Sequence, residues 1–133
     1  MSSRRWTLDG QRVLVTGASA GIGLAICREL LGLGAQVLMV ARDADALEQA
    51  RADLEEEFPG PEDAVLALPA DVTDEEQRNE ILDWAVELGG LHLLVNNAGG
   101  NVTRPVLDYG EDQWRGIFEV NLFAAFELCR GAY

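Results

Sequence analysis

Four short apolar runs punctuate the chain: Val13–Val15, Val37–Val40, Val65–Leu68 and Leu91–Val95. Each is nearly continuous rather than alternating, the pattern of a strand covered on both faces. Longer segments with helical spacing lie between them. Ile22, Ile26, Leu30 and Leu33 predict a helix that ends at Gly34. Leu47, Ala50, Leu54 and Phe58 predict a second, with Glu48, Glu55 and Glu56 on its other face and Pro59-Gly60-Pro61 as its break. Thr73 and Glu76 have the spacing of a capping box ahead of a third helix, carried by Ile81, Ala85 and Leu88 and stopped at Gly89-Gly90. The resulting βαβαβαβ rhythm predicts an α/β fold. Right-handed crossovers then give a doubly wound parallel sheet of four strands, with ligands bound beyond their carboxyl ends.

Beyond the fourth run the pattern changes. A polar, glycine-rich loop, NNAGGNVTRP, leads into a last helix from about Glu111 to Arg130, on which Trp114, Ile117, Ala125 and Leu128 share a face with Asn121. An amide in mid-stripe costs roughly 1–3 kcal/mol if unsatisfied, so Asn121 needs either a partner or a task. In the strand order 3-2-1-4 the fourth strand is an edge, although LHLLV is apolar enough to be central. Phe118, Leu122 and Phe126 exceed one narrow stripe on the helix, which marks either an oligomer face or an uncovered core.

Gly17, Gly21 and Gly23 follow the first strand directly. Glycine costs about 0.5–1 kcal/mol relative to alanine in regular structure, so three so close together require a local reason. One is a strand-to-helix turn with positive φ and close packing. The other is a backbone cradle for a phosphate at a helix amino end. The order is G-x-x-x-G-x-G, and Leu24 and Ala25 stand where a P-loop would carry lysine and serine or threonine, so a Walker-type NTPase is excluded.

Composition narrows the partners. With 133 residues, 48% of them apolar, the chain can bury one core, and we read residues 1–133 as a single domain. All ten basic residues are arginine, against 23 acids, for a formal net charge of −13; no basic face for nucleic acid is expected. Screening beyond about 8 Å still permits an anion in a locally positive pocket. Cys27 and Cys129 form no disulfide framework, which suits a reducing cytoplasm. MSSRRWTLDG has no apolar segment after its charges, and no run approaches the ~20 apolar residues of a membrane helix. His92 stands alone, so no metal site is expected and a strand-packing role is assigned to it. Ser19 has no His-Asp partnership that would make it a hydrolase nucleophile.

Four motifs in order, TGASAGIG after the first strand, DVT at Asp71–Thr73 after the third, NNAG at Asn96–Gly99 after the fourth, and Asn121 in the next helix, resemble the classical short-chain dehydrogenase/reductase family. NNAGGN also resembles its tropinone-reductase-like branch. The likeness runs from about Leu8 to the last residue and implies a Rossmann-type NAD(P)(H)-dependent oxidoreductase, commonly a dimer or tetramer, that interconverts small-molecule alcohols and carbonyl compounds. By that resemblance Gly17, Gly21 and Gly23 shape the turn, with Ser19 and the N–H of Ile22 near the phosphates. Asp71 and Val72 flank the adenine, and Asn97, Ala98 and Gly99 line the cleft. Asn121 is similar to the family's catalytic asparagine, at a local helix distortion that helps hold a proton-relay water; a satisfied core amide is the alternative.

At the end of strand two, Ala41 stands where NAD-preferring members carry aspartate, and Arg42 has the donor fork suited to a 2′-phosphate, so NADP(H) is favoured over NAD(H). The alternative for Arg42 is a solvated residue before a helix capped by Asp43. The family's reaction also requires a serine and a tyrosine whose pKa is lowered by a lysine four residues on. This sequence contains no lysine, and an unassisted tyrosine near pKa 10 is a poor base at neutral pH. The chain therefore reads as the cofactor-binding part of such an enzyme, ending inside the helix after strand four and inactive alone. A non-catalytic NADP(H)-binding or sensing protein on the same scaffold is the alternative. An S-adenosylmethionine-dependent methyltransferase is more distant, because it would want an acidic ribose ligand where Ala41-Arg42 stands.

Overall fold

The computed structural model describes residues 6–133, so the charged opening at Arg4 and Arg5 lies outside the described residues. Strands β1 (Arg12–Thr16), β2 (Gln36–Ala41), β3 (Val65–Pro69) and β4 (Leu93–Val95) pair in parallel in the order β3-β2-β1-β4. The register sets Val13 beside Val37 and Leu93, and Leu14 beside Leu38 and Leu94. Successive side chains alternate faces, so the apolar runs feed two separate layers. Val13, Val15, Val37 and Met39 pack with Cys27 and Leu31 of α1 (Gly21–Gly32) and with Leu47 and Leu54 of α2 (Ala44–Glu57). Leu14, Leu38 and Val40 pack on the other face with Ile81 and Ala85 of α3 (Glu75–Glu87) and with Ala124 and Leu128 of α5 (Ala124–Ala132). Burying each leucine fully contributes about 1.5–3 kcal/mol, which explains why the continuous runs, rather than alternating ones, form this sheet.

Several local expectations change. On α1 the buried ridge is Gly23, Cys27 and Leu31, and Ile22 is 74% exposed. A Cβ on Gly23 would run into the Gly17 carbonyl oxygen, so the helix packs at this bare position and the neighbouring Ile22 points outward. Asp74, not Thr73, caps α3: its carboxylate accepts from the N–H of Gln77 at 2.9 Å, while the Thr73 hydroxyl donates to Asp71. Asp43 caps α2 through the N–H of Ala46. Only Leu93–Val95 of the fourth apolar run forms a strand, and Leu93 on this sheet edge is 42% exposed. His92 lies before β4 and is exposed, its Nδ1 accepting from the N–H of Arg12 at 2.9 Å.

The last helix is not continuous. It comprises α4 (Glu111–Phe118), a π turn (Glu119–Phe123) and α5. The wider turn shifts the helical phase, so the buried pair beyond it is Ala124 and Leu128 instead of the expected Ala125 and Leu128. Trp114 remains 41% exposed. No helix among the described residues is long and apolar enough to cross a membrane.

Candidate functional site

The carboxyl ends of the strands meet the NNAG loop at one buried hydroxyl. Thr16, 1% exposed, accepts at Oγ1 from the N–H groups of Asn97 (3.0 Å) and Ala98 (2.9 Å) and donates to the Val95 carbonyl (3.5 Å). That uses the donor and both acceptor positions of a hydroxyl, leaving it fully satisfied. Thr16 thus stitches the end of β1 to the segment after β4. Sequence reasoning missed it, although a lone polar residue between an apolar strand and a glycine turn was the available signal.

Gly17 and Gly21 adopt φ of +62° and +56°, the left-handed region that side chains resist. A Cβ on Gly17 would also stand 2.9 Å from Asn97 Nδ2 and 3.0 Å from the Ala98 Cα. One on Gly23 would collide with the Gly17 carbonyl oxygen. Asn97 holds this turn from behind, its side-chain amide donating to the Gly17 carbonyl at 3.1 Å. The amino end of α1 that follows is unusual in this molecule. Its cap residue, Ala20, offers no side-chain hydrogen bond and its first turn holds no acid, so its free N–H groups are answered by no side chain.

A cavity of about 530 Å³ opens here. It brings together Gly17, Ser19, Arg42, Asp71, Val72, Ala98 and Gly99 from the sequence expectations, along with the strand ends at Val40, Ala41 and Ala70. Gly21, Ile22, Gly23, Asn97 and Asn121 do not line it. Gly23 and Asn97 instead shape the Gly17 turn from behind. Arg42 is exposed and is the one cation among the described lining residues. Asp43 also reaches the cavity wall, but its carboxylate is engaged at the cap of α2. Burial pushes the Asp71 carboxyl up; hydrogen bonds from the Thr73 hydroxyl and N–H, with the charge of Arg42, outweigh it and bring the group below its ordinary value. Asp71 is thus an anion facing the same cavity as Arg42.

Asn121 lies in the π turn and is exposed, which sets aside a core amide. Its Nδ2 donates to the carbonyls of Ile117 (2.9 Å) and Gly100 (2.6 Å), and its Oδ1 accepts from the N–H of Gly100 at 3.3 Å. Asn121 therefore ties the glycine-rich loop to the distorted helix, and π turns of this kind recur at functional sites. Tyr109 is occupied elsewhere: its hydroxyl donates to the Val102 carbonyl and accepts from the N–H of Arg104. Both cysteines are free; burial pushes the Cys27 thiol up to about 12, and Cys129 is exposed. Among the described residues no cluster of three or more His, Cys, Asp or Glu could hold a metal ion.

The donor set suits an anionic dinucleotide: uncapped helix N–H groups, a backbone bare of Cβ atoms at the turn, and a guanidinium at the rim. Comparison with known proteins places this geometry in a family. The family model described as short chain dehydrogenase matches residues 11–133. A tropinone reductase homologue of Arabidopsis thaliana, described as chloroplastic, is 36% identical over 99% of this chain and 40% of its own length. L-Sorbose reductase from Gluconobacter frateurii, solved with NADPH and L-sorbose, is 32% identical and superposes with a TM-score of 0.87 over 95% of this chain and 47% of its own. RhlG from Pseudomonas aeruginosa, solved as an NADP active-site complex, gives 31% identity and a TM-score of 0.85 over 95% of this chain and 48% of its own. The chain thus spans about half the length of the relatives it matches. With the family model covering nearly every described residue and the sheet order matching the four ordered motifs, the chain belongs to the short-chain dehydrogenase/reductase family.

Proposed function

We propose that these 133 residues form the single nucleotide-binding domain of an NADP(H)-dependent oxidoreductase that interconverts a small-molecule alcohol and its ketone or aldehyde. The observation that carries the reading is the uncapped, acid-free amino end of α1 directly after the turn whose Gly17 and Ser19 line the same cavity as Arg42. Gly17, Gly21 and Gly23 let the backbone approach a pyrophosphate, with Ser19 and the N–H of Ile22 as donors. Arg42 receives the 2′-phosphate, Asp71 and Val72 hold the adenosine end, and Asn97, Ala98 and Gly99 form the floor of the cleft. A bound nicotinamide supplies the hydride. Asn121, held by Gly100 and Ile117, keeps the helix open at its π turn and orders the proton path. A methyltransferase is disfavoured because the end of β2 offers Ala41 and Arg42 rather than an acid.

Hydride transfer in this family needs a serine and a Tyr-x-x-x-Lys pair, and a sequence without lysine cannot assemble that pair. The 133 residues alone are therefore expected to bind nucleotide without turnover, which is also what a non-catalytic NADP(H) sensor would do. Two cysteines far apart in the sequence make no disulfide framework, which suits a cytoplasmic setting. The exposed Phe118, Leu122 and Phe126 support pairing into a homo-oligomer. Titration of the chain with NADPH and NADH tests the cofactor assignment. Arg42→Ala is expected to weaken NADPH by about 10- to 100-fold, the worth of charge-assisted hydrogen bonds to phosphate, and to leave NADH within about twofold. Equal losses for the two would remove Arg42 from the 2′-phosphate site.

A further inference from the structure

The loop that follows β3 is held by two side chains to which neither the motifs nor the cavity lining points. Gln77 sits in the first turn of α3, a helix already capped by Asp74, yet its Oε1 turns back to accept from the N–H of Asp71 at 2.7 Å. The next residue, Arg78, donates from Nη1 to the Val72 carbonyl at 2.9 Å. In a chain with a net charge of −13, a half-buried guanidinium placed on a neutral carbonyl, with no ion pair among the described residues, is spent on position rather than on charge. The two bonds fix the peptide groups on either side of the Asp71–Val72 link, and both of those residues line the cavity. Asp71 is clamped a third way, its carboxylate accepting from the Thr73 hydroxyl at 2.7 Å.

We propose that Gln77 and Arg78 are positioning residues that hold the Asp71–Val72 wall of the cleft in the shape that receives the adenosine half of the dinucleotide. This inference rests on the nucleotide reading above. Neither side chain touches the ligand; each acts through a backbone group of the wall. The effect is therefore confined to the half of the ligand that lies against that wall, which separates positioning from general support of the fold.

The test is calorimetric titration of the chain with NADPH, with 2′,5′-ADP as the adenosine half and with nicotinamide mononucleotide as the other half. Gln77→Ala and Arg78→Met are each expected to weaken 2′,5′-ADP about tenfold, as loss of one part-buried hydrogen bond allows, and to leave nicotinamide mononucleotide within about twofold. Gln77→Glu keeps an acceptor at the same place and is expected to restore the affinity for 2′,5′-ADP. Wild-type binding of 2′,5′-ADP that neither substitution changes would overturn the positioning role alone, as would equal losses for both halves. Failure of the wild-type chain to bind NADPH or 2′,5′-ADP would overturn the nucleotide reading and this inference with it.

Discussion

Helices α1 and α3 both leave the carboxyl edge of the same sheet, and their amino ends are finished in opposite ways. On α3 the Asp74 carboxylate accepts from the N–H of Gln77, and Glu75 and Glu76 place negative charge in the first turn. Its dipole and its free N–H groups are satisfied within the chain. On α1 the corresponding positions are Ala20, Gly21 and Ile22, which offer neither an acceptor nor a charge. A sequence rich in acids, with 23 in 133 residues, has withheld them from one helix end. That end follows Gly17 and Ser19, which line the cavity, so on the proposed nucleotide reading an anion from outside serves as its cap.

The largest expected effect comes from breaking the turn beneath α1. Gly17→Val puts a β-branched residue at φ +62° and drives its Cβ into Asn97 and Ala98. Strain and overpacking each cost about 1–3 kcal/mol, so thermal unfolding should shift down by many degrees and nucleotide binding should vanish. A variant that unfolds and binds normally would reduce the turn to an ordinary loop and end the contrast with α3.

A middle-sized effect comes from making the two helix ends alike. Ala20 is exposed and extended at φ −159°, so Ala20→Asp can give α1 the cap that Asp74 gives α3. Chemical denaturation should show a gain of about 0.5–1 kcal/mol, while NADPH affinity should fall about tenfold or more because the new carboxylate occupies the phosphate's donors and repels it. The reverse change, Asp74→Ala, should cost about 1 kcal/mol. If Ala20→Asp stabilises the chain and leaves NADPH affinity untouched, the open end of α1 is not the anion site.

The same contrast shows why much of the fold, and less of the site, was legible in the sequence. Continuous apolar runs announce buried strands, and these gave β1, β2 and β3 within a residue or two of their observed ends. The fourth apolar run is longer than the strand it forms: Leu91 and His92 have a strand's composition, but pairing with β1 takes in only Leu93–Val95. Thr73 is not the cap because the helix starts one residue later, with Asp74 at the cap position accepting from the N–H of Gln77, while the Thr73 hydroxyl donates to Asp71. Hydroxyls and amides choose among partners by distance, which spacing along the chain does not encode. For the same reason Thr16, Gln77 and Arg78 escaped notice: their bonds run to backbone groups, which every residue carries and no motif displays. Asn121 was found through its misfit with an apolar stripe, while the π turn that moves it out of that stripe was not readable from periodicity.

The smallest expected effect lies in acid and sharpens the electrostatic side of the cleft. Asp71 has a folded pKa below its ordinary value, against the push of burial, because Thr73 and Arg42 favour the carboxylate. A carboxyl depressed on folding adds stability that is present above its unfolded value, near 3.9, and is lost as pH falls through the lower folded value. Asp71→Asn removes that contribution, so its stability should fall less steeply than wild type below about pH 4, with a difference under about 1 kcal/mol because the carboxylate is only part-buried and solvent screens it. Parallel denaturation curves for the two proteins across that range would show that Thr73 and Arg42 do not favour the charged form. The contrast would then rest on α1 and α3 alone, without an electrostatic link between the rim arginine and the wall that Gln77 and Arg78 hold.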